Sequence, residues 1–540
     1  MNRIRANRRQ FFSAAAGLAA GAGLTTSANA ESPAGAAPMD DRLKRAAALK
    51  ARLSDYYLKM GEIAHPTNGD EDRYPNKINS FSKTLIHKSN GEVDLAAYRS
   101  MRKAVESGSF ADFEAMLRGG NVRLKNPSGA YNFQLVGADP SQFAIPAAPR
   151  FDSAWQAAEM VELYWQAIAR DIPFADYATN PTIALACQEL SRLSGYRGPK
   201  EDGKVTPNTI FRTAIPGDLT GPYVSQFLVQ PFVAGHIEVE QKQKTAIAGA
   251  DLMREWADYL AIQFGDGKGP SNAFESTARY IYTGRGMANV VHFDSSYSPH
   301  ISTLWILLSY GANAYAESNP WIWSKGQEPY VNFGAPDSFD FLARAAKPAF
   351  NAAWFQKWFI HLRARPEVFG ARIYQHKLQN EVYPIHSDVL ESLALEANYS
   401  KFNTWLLPQS YQGGCPPHSA YPSGHATVNG AIITMLKAFF RGSFVIPNPV
   451  TPSADGLSLV PYKGPDLTIE GELNKAAFNI AMGRNFAGIH WRTDAEEGMR
   501  LGEQVALNML SDLASTLQDE FGGFELTKFN GERVTVTARM

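Results

Sequence analysis

Apolar residues recur at helical intervals in stretch after stretch of this chain, and that periodicity limits the fold more than any other feature. Residues 41–60 carry Leu43, Ala47, Leu53 and Tyr57 at roughly one-turn spacing or multiples of it. Comparable amphipathic stretches cover 154–170, 182–193, 246–264, 301–316, 339–362 and 426–440. A last one, at about 494–518, repeats Val505, Met509 and Leu513 on one side. Loops rich in Gly, Pro, Asn and Asp separate them, notably 67–79, 127–151 and 322–336. Strand character is legible only near the C-terminus, where 524–529 and 533–537 flank the hairpin dipeptide Asn530-Gly531. No fixed period marks a solenoid. The expected fold is all-α, one large domain of helical bundles with a small C-terminal β-hairpin.

Composition narrows the classes of function. Of 540 residues, 45% are hydrophobic and 19% charged, with a formal net charge of -1. That balance argues against a nucleic-acid partner or an anionic membrane surface. The start, Asn7-Arg8-Arg9-Gln10-Phe11-Phe12, then a short Gly/Ala-rich run over 13–24 and Ala28-Asn29-Ala30, reads as a twin-arginine export signal over 1–30. A Pro/Ala-rich linker follows over 31–38. The mature chain, 31–540, is expected to be bacterial and periplasmic or secreted. Its helical N-terminal half would run over about 40–300 and its catalytic half over about 301–540. No integral membrane segment is expected once the signal is removed. Cys187 and Cys415, so far apart, define no disulfide framework. Their pairing stays open, as does any structural cation.

Chemistry concentrates in the last third. Lys357, Arg365-Pro366, Ser423-Gly424-His425, Arg484 and His490 supply three cations, a hydroxyl, a helix-start N–H and two imidazoles. Such a set suits a highly negative oxyanion. Arg offers a planar fork that keeps its charge, and Lys offers a point charge. Ser423-Gly424 opens an apolar helical run, where unpaired N–H groups and the helix dipole favour an anion. His490 can ligate a metal centre or attack phosphorus, and His425 is suited to acid/base work.

The stretches KWFIHLRARPE (357–367), HSAYPSGHA (418–426) and GRNFAGIHWRTD (483–494) resemble the vanadium-dependent haloperoxidases, in the superfamily that also holds the type 2 phosphatidic acid phosphatases. The seven residues between Lys357 and Arg365 resemble the bromoperoxidase and bacterial haloperoxidase spacing; the phosphatases usually have a shorter gap. The resemblance implies a pair of four-helix bundles and vanadate (V5+) as cofactor. It implies His490 as axial vanadium ligand and Lys357, Arg365, Ser423, Gly424 and Arg484 on the equatorial oxygens. It makes His425 the acid/base, with Lys357 stabilising charge that develops on peroxide oxygen. His418 and Trp354 would shape the halide side, and Asp494 would orient a ring or guanidinium from behind. The implied partners are hydrogen peroxide, a halide and a small organic substrate. Relatives commonly form homo-oligomers.

On this reading the chain oxidises bromide or iodide, with chloride left open, to hypohalous acid that halogenates organic compounds. His418 points to bromide. A periplasmic acid phosphatase using His490 as nucleophile is the alternative on the same site. A non-catalytic oxyanion binder is the third reading, disfavoured because simple binding needs no acid/base. The loop 409–422 is expected to wall the entrance, with Trp354 and Tyr421 the aromatics nearest the halide or substrate.

Overall fold

The computed structural model describes residues 37–267, 271–295 and 297–539. The predicted export signal and most of the linker lie outside them. The helices of eight residues or more are α1 (Ala37–Leu58), α2 (Leu95–Ser107), α3 (Ala154–Ala169), α4 (Pro181–Arg192), α5 (Trp256–Phe264), α6 (Gly284–Phe293) and α7 (Ser298–Ser309). They continue with α8 (Ala335–Phe355), α9 (Pro366–Lys377), α10 (Leu393–Phe402), α11 (Gly424–Phe439), α12 (Ile469–Phe486) and α13 (Arg492–Ala514). The chain divides into two compact units at residue 57. Within the described residues the first holds most of α1 and the second everything that follows.

Three antiparallel hairpins complete the fold: β1 (Phe232–Ala234) with β2 (Ile237–Val239), β3 (Val450–Pro452) with β4 (Leu459–Pro461), and β5 (Phe524–Thr527) with β6 (Arg533–Val536). The third matches the strand expectation, pairing Phe524 with Val536 and Thr527 with Arg533. The first two correct the expectation that only the C-terminus forms strands. At three residues a strand, they are too short for alternation to register. Two helix boundaries also differ. The stretch 246–264 is helical only from Trp256, because an extended segment first bridges Leu252 to Gln409. The stretch 301–316 stops at Ser309, where Gly311 takes a positive φ.

Helices α8, α11, α12 and α13 form a bundle, with α11 packed against the other three and α6 laid on α12. Every residue of α11 is buried except His425. A helix that is apolar all round belongs in a core, and its one partly exposed side chain marks where the core opens. Small residues set the α11–α13 separation. A Cβ at Gly502 would lie 2.0 Å from the Thr427 carbonyl oxygen, and one at Gly430 would lie 2.2 Å from that of Met499. From the N-terminal half, α3 packs against α4 and, in the C-terminal half, against α10. Two of its carboxylates, Glu159 and Glu162, are buried.

Candidate functional site

Most of the predicted residues lie at or close to the end of an element. Helix α8 widens into a π-helical turn, Gln356–His361, and Leu362 closes it at φ 43°. The wide turn places Lys357 inward, and such turns often mark functional positions. Arg365 is the N-cap of α9, with Pro366 at its first position. Ser423 is the N-cap of α11, its Oγ accepting the Ala426 N–H at 3.3 Å. Its own O–H proton stays available to donate. Gly424 then stands where a backbone N–H has no intrahelical acceptor. Trp491 caps α13, and the Asp494 carboxylate accepts its N–H at 3.1 Å. Asp494 is thus the third helical residue, reaching back to the N-cap backbone.

These ends converge. Arg365 is buried and donates from Nε to the His418 carbonyl at 2.9 Å and from Nη1 to the Ile489 carbonyl at 2.8 Å. Nη1 also lies 2.8 Å from His490 Nε2, and Nη2 lies 3.0 Å from His418 Nδ1. His490 Nδ1 lies 2.7 Å from Asp494 Oδ2. The carboxylate holds the proton on Nδ1 and leaves the Nε2 lone pair facing Arg365. Asp494 in turn accepts from Arg363 Nη1 at 2.9 Å, and its carbonyl accepts the Ser423 N–H at 2.9 Å. Arg363 donates onward to Gln156 at 2.7 Å and to Glu159 at 2.8 Å, between the Trp491 and Tyr421 rings. Lys357 is fully buried and donates from Nζ to the Ser419 and Ala420 carbonyls at 2.7 and 2.8 Å. An ammonium has three protons, so one remains for an anion.

The electrostatics favour that anion. Burial, with Arg365 adding repulsion, holds the Lys357 pKa well below the usual lysine range. Burial brings Arg365 down to about 10. His490 and His418 are held well below the ordinary imidazole value, first by burial and then by Arg365. Burial pushes Asp494 up while Arg363 pulls it back. Cations packed this densely without a counter-charge are costly, and an anion between them relieves the cost. Arg484 completes the set. It donates to the Val291 carbonyl at 2.6 Å, lies over the Tyr411 ring, and keeps a buried Nε with no partner.

Arg484 and His425 line a cavity of about 1300 Å³. His425 Nε2 lies 3.0 Å from Asp294 Oδ1, which leaves Nδ1 as the ring's lone-pair nitrogen when the imidazole is neutral. Burial lowers the His425 pKa, Arg484 lowers it further, and Asp294 opposes both. Trp354 lines the cavity and packs on His418 at 4.9 Å between ring centroids. The segment 411–417 forms part of the wall, as expected of its loop. Tyr421 does not line it: the ring is fully buried and its hydroxyl donates to the Pro146 carbonyl at 2.6 Å. His361 packs edge-on against the ring at 4.6 Å between centroids, and Arg363 lies over it. The two cysteines are free and buried.

Sequence reasoning missed Asp294, Arg363 and Glu159. Asp294 follows the end of α6, far from any motif. Arg363 lies within a motif stretch, two positions before Arg365, and a third basic residue in that aromatic segment was its only signal.

Comparisons with known proteins concern the chain as a whole and its bundle. Residues 339–519, which span the bundle, match the model of the VCPO second helical-bundle domain. The vanadium-dependent bromoperoxidase of Ascophyllum nodosum is 33% identical over 534 residues, covering 94% of each chain. That of Corallina officinalis is 31% identical, covering 92% of this chain and all of its own. The second vanadate-dependent bromoperoxidase of Ascophyllum nodosum, solved as a homohexamer, superposes with a TM-score of 0.88 at 27% identity, covering 97% of this chain and 96% of its own.

Proposed function

Because the chain belongs to the vanadium-dependent haloperoxidases, enzymes that act on hydrogen peroxide and a halide, we propose that it holds vanadate between Lys357, Arg365, Ser423, Gly424, Arg484 and His490 and oxidises bromide or iodide in preference to chloride. The donor set supports this. It consists of cations, a hydroxyl, a helix-start N–H and one imidazole lone pair. No group of three or more His, Cys, Asp or Glu side chains is placed to hold a bare cation among the described residues. The observation that carries the reading is the His490–Asp494 pair: a buried, neutral imidazole whose Nε2 lone pair faces the guanidinium of Arg365.

When bound, vanadate supplies a Lewis-acidic centre that activates peroxide toward halide. The residues supply the rest. His490 would hold the vanadium through Nε2, kept in that tautomer by Asp494. Lys357 keeps one ammonium proton for an oxygen on which charge develops, at no reorganisation cost because two carbonyls already fix it. His425 accepts a proton from peroxide at Nδ1 and passes it on, while Asp294 steadies the ring. Trp354 and His418 wall the halide side. Subunits would assemble as a homo-oligomer, a reading the homohexameric relative supports, and the Arg8-Arg9 motif supports twin-arginine export to the periplasm or beyond the cell.

The test is peroxide-dependent bromination of a diketone dye by metal-free protein, with vanadate titrated in and phosphate as competitor. The expected result is activity that rises with vanadate and falls with phosphate. Silence there, with aryl phosphate hydrolysis that vanadate inhibits, would replace the reading with the phosphatase.

A further inference from the structure

The cavity beside Arg484 and His425 is far larger than a halide needs. At about 1300 Å³ it lies in or above the size range of sites that enclose organic ligands. Its charge is one-sided. Arg123, Lys125 and Lys347 line it with exposed side chains, and none of the three makes an ion pair among the described residues. Among the described residues Asp294 is the one carboxylate in that lining, and it accepts from His425.

The three cations are solvent-exposed, whereas Arg484 at the reacting end is buried. On α8, Lys347, Phe350 and Trp354 follow at turn spacing and share the cavity face. Seven residues of helix put Lys347 about 10 Å from Trp354 along the axis. The segment with Arg123 and Lys125 is pinned both to the loop wall and to α8. The Lys125 N–H donates to the Pro417 carbonyl at 3.0 Å, and the Lys125 carbonyl accepts from Trp354 Nε1 at 3.0 Å. Phe293, Phe350 and Trp354 add apolar ring surface to the same lining.

We propose that the organic acceptor is an aromatic or unsaturated acid bound within this cavity, its anionic group on Lys347, Arg123 and Lys125 and its electron-rich carbon toward His425. The inference rests on the haloperoxidase reading. In the step it describes, peroxide takes two electrons from bromide and its O–O bond breaks. The oxidised bromine forms a C–Br bond, and the displaced ring proton with one proton from solution completes two waters. Partly screened ion pairs are individually weak, so the signature is a selectivity, not an absolute requirement.

The experiment is a one-pot competition for bromination between 3-(4-hydroxyphenyl)propanoate and its primary amide, which differ in charge far from the reacting ring. Reagent hypobromous acid gives the reference product ratio. The vanadate-loaded enzyme should favour the acid by about tenfold over that reference, as expected when two or three screened pairs act together. The ratio should fall to the reference in Lys347→Met/Arg123→Met and reverse in Lys347→Glu. In parallel, calorimetric titration of vanadate-free protein with 3-phenylpropanoate and with its amide reads binding without turnover; tighter binding of the acid, lost in the double variant, is expected. Bromination at the reference ratio, with equal binding of acid and amide, overturns the proposal and means that oxidised bromine leaves the cavity before it reacts. Absence of any bromination defeats the haloperoxidase reading, while the titration still decides whether the cavity selects an acid.

Discussion

His490 and His418 both touch Arg365, yet their loss has different consequences. His490 offers the imidazole lone pair that Asp494 fixes in place, so His490→Ala is expected to lower vanadate affinity by at least the roughly hundredfold that losing a ligand's supporting partner can cost, and to abolish vanadate-dependent turnover. His418→Ala removes one of several acceptors around Arg365. A single such hydrogen bond is worth about 1 kcal/mol, so affinity should change by less than about tenfold while the bromide-to-iodide ratio moves more. Equilibrium dialysis with vanadate and halide-dependent rates check this, and equal loss of binding in both variants refutes the division. A second expectation follows from Lys357. Burial and Arg365 lower its pKa in the free protein, whereas an anion in the site raises it. Binding a dianion therefore takes up a proton wherever Lys357 is neutral beforehand, and affinity is full at low pH and lost as pH rises through the free-state value. Sulfate, whose charge is constant across this range, should bind more weakly at pH 9 than at pH 6 by calorimetry, and Lys357→Met should flatten the slope. The motif residues were legible because their types and spacing are tied to anion chemistry. Asp294 was not, since one carboxylate at a helix end carries no spacing and becomes informative only when the fold brings it 3.0 Å from His425.

At the level of elements, the anion site depends on how closely α11 and α13 approach. The start of α11 carries Ser423, Gly424 and His425, and the start of α13 carries Asp494 just after His490. The contact from the Ser423 N–H to the Asp494 carbonyl locks the two ends together. Glycines permit that contact. A Cβ at Gly498 would meet Ala426 Cβ at 2.8 Å and the Ser423 carbonyl oxygen at 3.0 Å, and one at Gly502 would be 2.0 Å from the Thr427 carbonyl oxygen. Gly502→Ala should therefore destabilise the protein by about 3 kcal/mol, since backbone rather than a flexible side chain must move. Gly498→Ala should cost less stability but weaken vanadate binding by shifting the α11 cap. Thermal unfolding and vanadate titration separate the two, and an unchanged melting temperature in Gly502→Ala would contradict the packing argument. This level was only partly legible in sequence. Helices α8, α11 and α13 announce themselves by apolar periodicity, but α12 does not, because Glu472, Asn474, Lys475 and Asn479 are themselves buried. A helix whose polar residues face inward shows no solvent stripe to read.

The whole molecule matters to the site because the C-terminal bundle does not satisfy its own charges. Arg363, which holds Asp494, also pairs with Glu159 on α3, and Glu159 accepts the Thr493 N–H at 2.6 Å. Arg492 pairs with Glu162 one turn further along α3. Lys83 reaches Glu367 at 3.0 Å and the carbonyls of Gly413 and Cys415 in the cavity wall. The orientation of His490 is thus set by a chain of contacts that runs through Asp494 and Arg363 into the N-terminal half. Sequence could assign that half to helices but not to this purpose, because residues 204 and 334 positions apart in the chain share no local pattern. Removing one partner of a buried pair leaves an uncompensated charge, at a cost of about 3–5 kcal/mol. Glu159→Gln should lower stability by about 3 kcal/mol and loosen His490, with vanadate affinity falling alongside, while Glu162→Gln should lower stability with less effect on affinity. The sharper form of the argument concerns residues 335–540 expressed alone. That piece contains every residue placed on the oxyanion but lacks Lys83, Glu159, Glu162 and Asp294. It is expected to show no cooperative thermal transition and no sulfate binding by calorimetry. A folded, anion-binding product would mean that the bundle builds its site without the N-terminal half, and the chain of contacts behind His490 would lose its role.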